Sequence, residues 1–306
     1  MSKKILVTGG AGFIGSHLVD RLIGEGYEVA IIDNLSTGKK ENLNKEARFF
    51  DLDIKSSKIT DVFAEVKPEI VYHLAAQIKV GKSLEQPDQD AETNILGGLN
   101  ILGNCKKFDV DKVVFFSSVG IYGDTEDLPI KETHPLNPIS PYSIAKLSLE
   151  KYLDFYRTQG LNSSVLRFSN VFGPRQSQST EGGVVSIFID KVLKKEQPVI
   201  FGDGKQTRDF LYVDDAIEAA IKILDSSSPL AYNAGVNQEI SIEDLLRTII
   251  RLTDRDEIEP IFMPGRKGEI IRSRVDYTKI REDLDWRPGY SMEEGLRKTI
   301  NWFAKI

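Results

Sequence analysis

Three glycines at intervals of three, Gly9, Gly12 and Gly15, follow the short apolar run 5–7 and stand at the head of an amphipathic stretch over 13–23. A strand, a tight turn and a helix accommodate such a pattern naturally. Gly9 permits the turn, Gly12 lets backbone approach a ligand, and Gly15 lets the helix pack closely on the strand. Phe13 and Ile14 belong to the same turn, where a helix N-terminus favours phosphate oxygens. The pattern predicts a dinucleotide-binding βαβ unit.

Short runs rich in β-branched and aromatic residues recur at 29–32, 49–52, 70–74, 113–116 and 165–168, with helical patterns between them, among others at 93–107 and 142–157. This alternation predicts an α/β fold: a Rossmann-type, doubly wound parallel sheet with helices on both faces. After residue 170 the pattern is less regular, with helices expected over 184–195, 213–224, 242–252 and 292–303. We expect a dinucleotide-binding domain over 1–172, rejoined by about 208–232, and a smaller C-terminal α/β substrate domain over 173–306.

Asp33 closes the second strand near the distance from the glycines at which an acid binds the adenosine ribose. A carboxylate there accepts from a 2′-hydroxyl and repels a 2′-phosphate, which favours NAD over NADP. Lys39 and Lys40 are close enough in sequence to leave NADP open.

Tyr142 and Lys146 lie four apart, on one face of a helix for which Ser140 is a good N-cap and Pro141 suits the first position. Ile144, Ala145, Leu147, Leu149 and Tyr152 supply an apolar stripe. A phenol is a poor base at neutral pH, but a neighbouring cation and a helix N-terminus both favour its phenolate. The pair is suited to moving a proton.

Composition excludes several classes. A formal charge of -6 argues against a general nucleic-acid binder. Cys105 is the only cysteine, so cysteine-rich zinc sites are excluded, and it is expected on a buried helix face. His17, His73 and His134 lack metal-ligand spacing, and no metal is expected. With no apolar stretch of bilayer-spanning length, we expect a soluble cytoplasmic protein without a membrane partner.

Together, Gly9-x-x-Gly12-x-x-Gly15, Asp33-Asn34-Leu35, Asp53-Ile54, His73-Leu74-Ala75-Ala76, Asn94, Ser117-Ser118, Tyr122-Gly123, Tyr142-x-x-x-Lys146, Asn170 and Arg208-Asp209-Phe210 resemble the extended short-chain dehydrogenase/reductase family, in its nucleotide-sugar members of the UDP-glucose 4-epimerase type. The resemblance implies Tyr142 as acid/base, Lys146 as its pKa-lowering partner and ribose anchor, and Ser118 as the hydroxyl on the reacting sugar oxygen. Ser117 is the substitute should the register differ by one. It also implies NAD as the cofactor, bound by Gly9, Gly12, Phe13, Ile14, Gly15, Asp33, Asn34, Asp53, Ile54, Leu74, Ala75, Ala76, Asn94 and Ser117 together with Tyr142 and Lys146.

On the substrate side the resemblance implies Asn170, Arg208 and Arg266 as diphosphate ligands and Glu269 on the nucleotide ribose, with Gln77 and Phe201 joining Ser118 and Tyr142. Residues 266–269 read Arg-Lys-Gly-Glu where the commonest family form is Arg-Pro-Gly-Asp. Related dehydratases carry Asp-Glu after the hydroxyl residue and decarboxylases a glutamate, whereas this chain has Val119 and Gly120. The implied activity is therefore 4-epimerisation of a UDP-hexose, UDP-glucose or UDP-galactose, through a transient 4-keto sugar. Ser273, at the position that gates the C2 substituent, extends this to UDP-N-acetylhexosamines. A homodimer through the helices over 93–107 and 142–157 is also implied. Dehydration, decarboxylation, a different epimerisation and a non-catalytic NAD-sensing role stay open as alternatives.

Overall fold

The computed structural model describes residues 2–177, 183–226, 231–265 and 270–305. In chain order the strands are β1 (Lys4–Thr8), β2 (Glu28–Asp33), β3 (Arg48–Asp51), β4 (Ile70–His73), β5 (Lys112–Ser118), β6 (Ser163–Phe168), β7 (Asn170–Phe172), β8 (Val199–Phe201), β9 (Thr207–Arg208), β10 (Phe210–Tyr212), β11 (Ala231–Ala234), β12 (Ile240–Ser241) and β13 (Ile261–Met263). The α-helices are α1 (Phe13–Gly24), α2 (Ile59–Val66), α3 (Val80–Glu85), α4 (Pro87–Ala91), α5 (Gly98–Lys107), α6 (Pro141–Thr158), α7 (Val184–Leu193), α8 (Val213–Lys222), α9 (Ile242–Leu252), α10 (Thr278–Leu284) and α11 (Met292–Phe303).

The chain divides into two compact units. The first comprises Met1–Ile121, Pro138–Arg167 and Ile217–Tyr232. Its seven-stranded sheet runs in the order β11-β6-β5-β4-β1-β2-β3, and β1 pairs in parallel with β2 and β4, as do β2 with β3 and β4 with β5. The strand order reverses between β1 and β4, so the loops leaving these two strands open the crevice where α/β sheets bind ligands. Strands covered on both faces read as unbroken apolar runs, and Ile5, Leu6, Val7, Ile31, Ile32 and Val71 are fully buried. Leu6, Ile32, Val71 and Phe115 of the sheet share one core cluster with Phe63, Ile101, Cys105, Leu149 and Leu153 of the helices. Full burial of each large apolar side chain contributes about 1.5–3 kcal/mol.

Helix α6 begins as its sequence requires, with Ser140 Oγ accepting from the Ser143 N–H at 3.2 Å and Pro141 next in line. The expected apolar stripe divides in two. Ala145, Leu149 and Leu153 enter the core, whereas Ile144 is 48% exposed and Tyr152 and Phe155 are also open to solvent. The single helix expected over 93–107 is a π-turn, Glu92–Gly97, running into α5.

The second unit comprises Tyr122–Asn137, Phe168–Ala216 and Asn233–Ile306. Of the segment over about 208–232 expected to rejoin the first domain, Ile217–Tyr232 does so, and residues 122–137, expected within the domain over 1–172, belong to the second unit. They are held there by a bridge between Ile130 and Val275 and by the hydrogen bonds of Asn233 with Tyr122, Glu132 and Ile130. Three small two-stranded sheets, β10 with β7, β12 with β9 and β13 with β8, lie in this unit. Helices α7, α9 and α11 pack on one another, α9 capped by Ser241 and α11 by a Ser291–Glu294 capping box. Trp286 is fully buried and donates to the Asp215 carbonyl at 3.0 Å.

Candidate active site

The cradle for a dinucleotide is built by the turn after β1. Gly9 has φ +77, and a Cβ on it would stand 2.8 Å from the Ala75 nitrogen, while one on Gly15 would stand 2.1 Å from the Gly9 carbonyl oxygen. Only glycine leaves the turn, the helix start and the segment after β4 this close together. Thr8 joins the same parts, its Oγ accepting from the Leu74 and Ala75 N–H groups at 3.2 Å and meeting His73 Nδ1 at 2.8 Å. Leu74, Ala75 and Ala76 are half-buried along this wall, and Phe13 and Ile14 are half-buried at the head of α1.

Asp33 ends β2 with its carboxylate accepting from the Ala11 N–H at 3.0 Å and the Leu35 N–H at 2.8 Å. Burial pushes this carboxyl up against those two hydrogen bonds. Each oxygen retains acceptor capacity for a hydroxyl. Lys39 faces Glu41 at 3.6 Å. Asn34 and Asp53 are brought together by a 3.1 Å hydrogen bond, and Ile54 is buried beneath the π-turn. These features fit a dinucleotide whose ribose hydroxyls face a carboxylate.

Successive residues of a strand point to opposite faces, and this separates the two serines at the end of β5. Ser117 donates to Glu150 at 2.5 Å, inside the buried Glu150–Arg167 ion pair. Ser118 accepts from the Gly120 N–H at 3.1 Å, and its hydroxyl is the group that favours the Tyr142 phenolate. Of the two, Ser118 is therefore the serine at the phenol. Lys146 donates to the Phe116 carbonyl at 2.8 Å, with its ammonium 5.8 Å from the Tyr142 ring centre and 4.9 Å from that of Phe115.

Electrostatics at the pair differ from expectation. Burial pushes the Tyr142 phenol up to about 12, opposed by the Ser118 hydroxyl and reinforced by the Asp90 carboxylate. Burial also pulls the Lys146 ammonium down to about 8, against Asp90 and Glu150, which favour its charge. Desolvation thus outweighs the helix start and the nearby cation. Burial and Lys146 hold His73 down to about 3, so its ring is neutral.

Asn94 is buried and exchanges two hydrogen bonds with the Gln77 backbone, at 2.7 and 2.9 Å. Gln77 turns its side chain inward, with both amide hydrogens taken by Lys79 O at 3.0 Å and Asp90 Oδ1 at 2.7 Å. In the second unit, Arg208 lies on β9 and bonds the Thr207 carbonyl at 2.8 Å, and Asn170 begins β7 with its side chain exposed. Phe201 closes β8 and lines a cavity of about 270 Å³ with Gly202, Gln206 and Ile271. Ser273 is 5% exposed. Arg266 and Glu269 lie outside the described residues. No cluster of three metal-ligating side chains, and no helix long and apolar enough to cross a membrane, occurs among the described residues.

Residues 5–235 match the profile of the NAD dependent epimerase/dehydratase family. The chain belongs to that family. Within it, the chain is 40% identical over 311 residues to the UDP-glucose 4-epimerase of Mycolicibacterium smegmatis, with 98% of each chain covered. A UDP-glucose 4-epimerase of Thermotoga maritima, solved with UDP-glucose, superimposes with a TM-score of 0.97 at 45% identity and 99% coverage of both chains. The Thermus thermophilus UDP-glucose 4-epimerase, solved in complex with NAD, gives 0.92 at 39% identity and 98% coverage of both.

Sequence reasoning missed Asp90, the Gln77 side-chain arrangement, the π-turn that carries Asn94, and the Glu150–Arg167 pair behind Ser117. Asp90 sits in an acidic, polar stretch, Asp88-Gln89-Asp90, where nothing marks one carboxylate as buried. The one available signal is its position four before Asn94, one helical turn away.

Proposed function

We propose that this family member is an NAD-dependent 4-epimerase of UDP-hexoses, UDP-glucose and UDP-galactose, acting through a 4-keto sugar. The observation that carries the reading is the grouping of Ser118, whose hydroxyl favours the Tyr142 phenolate, with Lys146 5.8 Å from the Tyr142 ring centre, and with no acid on the two residues after Ser118. Neither Val119 nor Gly120 can supply the acid that dehydration or decarboxylation needs there. The UDP-glucose and NAD in the two solved relatives support the same substrate and cofactor.

Tyr142, as phenolate, takes the proton of the C4 hydroxyl. Ser118, oriented by the Gly120 N–H, holds that same oxygen. Lys146 anchors the cofactor ribose and stabilises the phenolate. Oxidised NAD supplies the hydride acceptor and a positive ring charge that favours the phenolate. Once the 4-ketose has turned in the pocket, so that the bound cofactor would return the hydride to the other face of C4, Tyr142 gives its proton back to the C4 oxygen. Acid-base help of this kind contributes about 10²- to 10⁴-fold.

The first unit is the NAD-holding part in this reading, and the second holds the nucleotide sugar through Asn170, Arg208, Arg266 and Glu269, with Ser273 leaving room for an N-acetyl group at C2. The open apolar face made by Leu96, Ile144, Tyr152 and Phe155 supports a homodimer. Sedimentation of the holoprotein at the mass of one chain would count against the dimer. The single buried thiol, Cys105, suits a reducing compartment, and a cytoplasmic site of action goes with the reading.

The test is a panel of UDP, dTDP and GDP sugars incubated with the protein, with products identified by NMR. The C4 epimer of a UDP-hexose is expected. A product that has lost water or carbon dioxide, or no conversion of any UDP-hexose, overturns the proposal.

A further inference from the structure

Asp90, at 1% exposure, is a buried carboxylate that no part of the mechanism above uses. Its Oδ1 accepts from Gln77 Nε2 at 2.7 Å and Asn94 Nδ2 at 3.0 Å. Its Oδ2 is the only carboxylate oxygen among the buried side-chain atoms without a hydrogen-bond partner in the described residues. Gln77 and Asn94 are in turn bonded to each other, so the three residues tie the loop after β4 to α4 and the π-turn. Helix α4 packs against α6, the helix that presents Tyr142 and Lys146.

An asparagine at this position would satisfy Gln77 and Asn94 equally well through its own Oδ1. What the aspartate adds is a negative charge with one bare oxygen, an expensive feature in a protein interior. π-turns also concentrate at functional sites. A purely structural role accounts for neither the charge nor the bare oxygen.

We propose that Asp90 is a positioning residue for the proton-transfer pair: held by Gln77 and Asn94 through one oxygen, it supplies the negative charge that keeps Lys146 an ammonium at working pH. The inference rests on Tyr142 and Lys146 being that pair. The groups facing Lys146 are Asp90 from α4, Glu150 from its own helix, His73 from β4 and Tyr142 one turn earlier. Glu150 is claimed by Arg167 and Ser117, and His73 is neutral. Asp90 itself is faced by the neutral amides of Gln77 and Asn94 and by Lys146 and Tyr142. It is thus the carboxylate in this group that no arginine shares.

A negative charge raises the pKa of every titrating neighbour, and Asp90 does so at both Lys146 and Tyr142. Its removal therefore moves both in one direction, towards lower pH. The experiment compares the natural NAD-loaded protein with Asp90→Asn and Asp90→Glu. The Lys146 ammonium is titrated by NMR of ¹³Cε-labelled lysine, with the resonance assigned through Lys146→Arg, and kcat is measured from pH 6 to 10. Asp90→Asn is expected to titrate Lys146 about one unit lower, with the alkaline limb of kcat moving by the same amount. Asp90→Glu, which keeps the charge, is expected to retain the natural titration. An unchanged Lys146 titration in Asp90→Asn overturns the proposal. A titration that moves while the kcat profile stays fixed overturns instead the assignment of Tyr142 and Lys146 as the proton-transfer pair.

Discussion

Asp90 in the first unit, and Asp209 and Asp215 in the second, are all buried carboxylates, yet their surroundings differ in kind. Asp209 accepts from the Val236 and Asn237 N–H groups at 2.8 and 3.1 Å and from Val275 N–H at 3.2 Å. Asp215 accepts from Gly289 and Tyr290 N–H groups at 2.7 and 3.2 Å. Both acids of the second unit bind distant segments through backbone amides. In the first unit Asp90 keeps a bare oxygen and influences a lysine and a tyrosine. A buried carboxylate saturated by backbone amides holds a fold together, whereas one that leaves capacity towards other side chains is placed for chemistry.

The comparison can be broken most directly at the phenol. Tyr142→Phe is expected to lower kcat by about 10³-fold or more while the melting temperature and bound NAD are retained. Full activity in that variant would remove the first unit's claim to the proton transfer. Asp209→Asn is expected to do the reverse. Replacing one carboxylate oxygen by an amide leaves one or two of its three N–H donors without an acceptor, a loss of about 2–4 kcal/mol in urea unfolding. Equal stability would mean that these amides find other partners.

The Asp209 carboxyl also carries a pH signature. Burial raises it to about 6, against its three backbone hydrogen bonds, above the ~4 of an unfolded aspartate. The folded chain therefore binds that proton more tightly than the unfolded one. This contribution to stability is full below about pH 4 and is lost as pH rises through about 6. Between pH 4 and 7 the natural chain is expected to lose about 2–3 kcal/mol relative to Asp209→Asn, and a constant difference across that window would contradict it. The smallest effect is expected at Ser273→Tyr, which should lower kcat/KM for UDP-N-acetylgalactosamine relative to UDP-galactose by about tenfold.

What could be read in advance followed the same division. The strands β1, β2, β4 and β5 were legible because both faces are covered and their apolar runs are unbroken, and α6 because Ser140 and Pro141 mark its start. The strands of the second unit have two or three residues where they pair, too short for any period to emerge. Ile144 and Tyr152 carry the right period for a buried stripe but lie on the open side of α6, because hydrophobicity alone does not name the partner surface. The positions of Gly9 to Gly15 in the turn after β1, of Asp33 at the end of β2, and of Tyr142 and Lys146 on α6 were legible from type and spacing, whereas the choice of Ser118 over Ser117 came from the family resemblance. Asp90 and the inward turn of Gln77 were not, since both depend on contacts between segments 13 residues apart. The direction of the Tyr142 pKa was misjudged for a related reason, because desolvation is set by neighbours remote in sequence.

The central claim, that Tyr142 exchanges a proton with the C4 oxygen and NAD a hydride with C4 and that both are returned, is tested most directly by incubating UDP-galactose with the NAD-loaded protein in D₂O and reading the product by ¹H NMR. The account predicts UDP-glucose, formed without added NAD and with protium retained at C4. Deuterium at C4, at C3 or at C5 would contradict it.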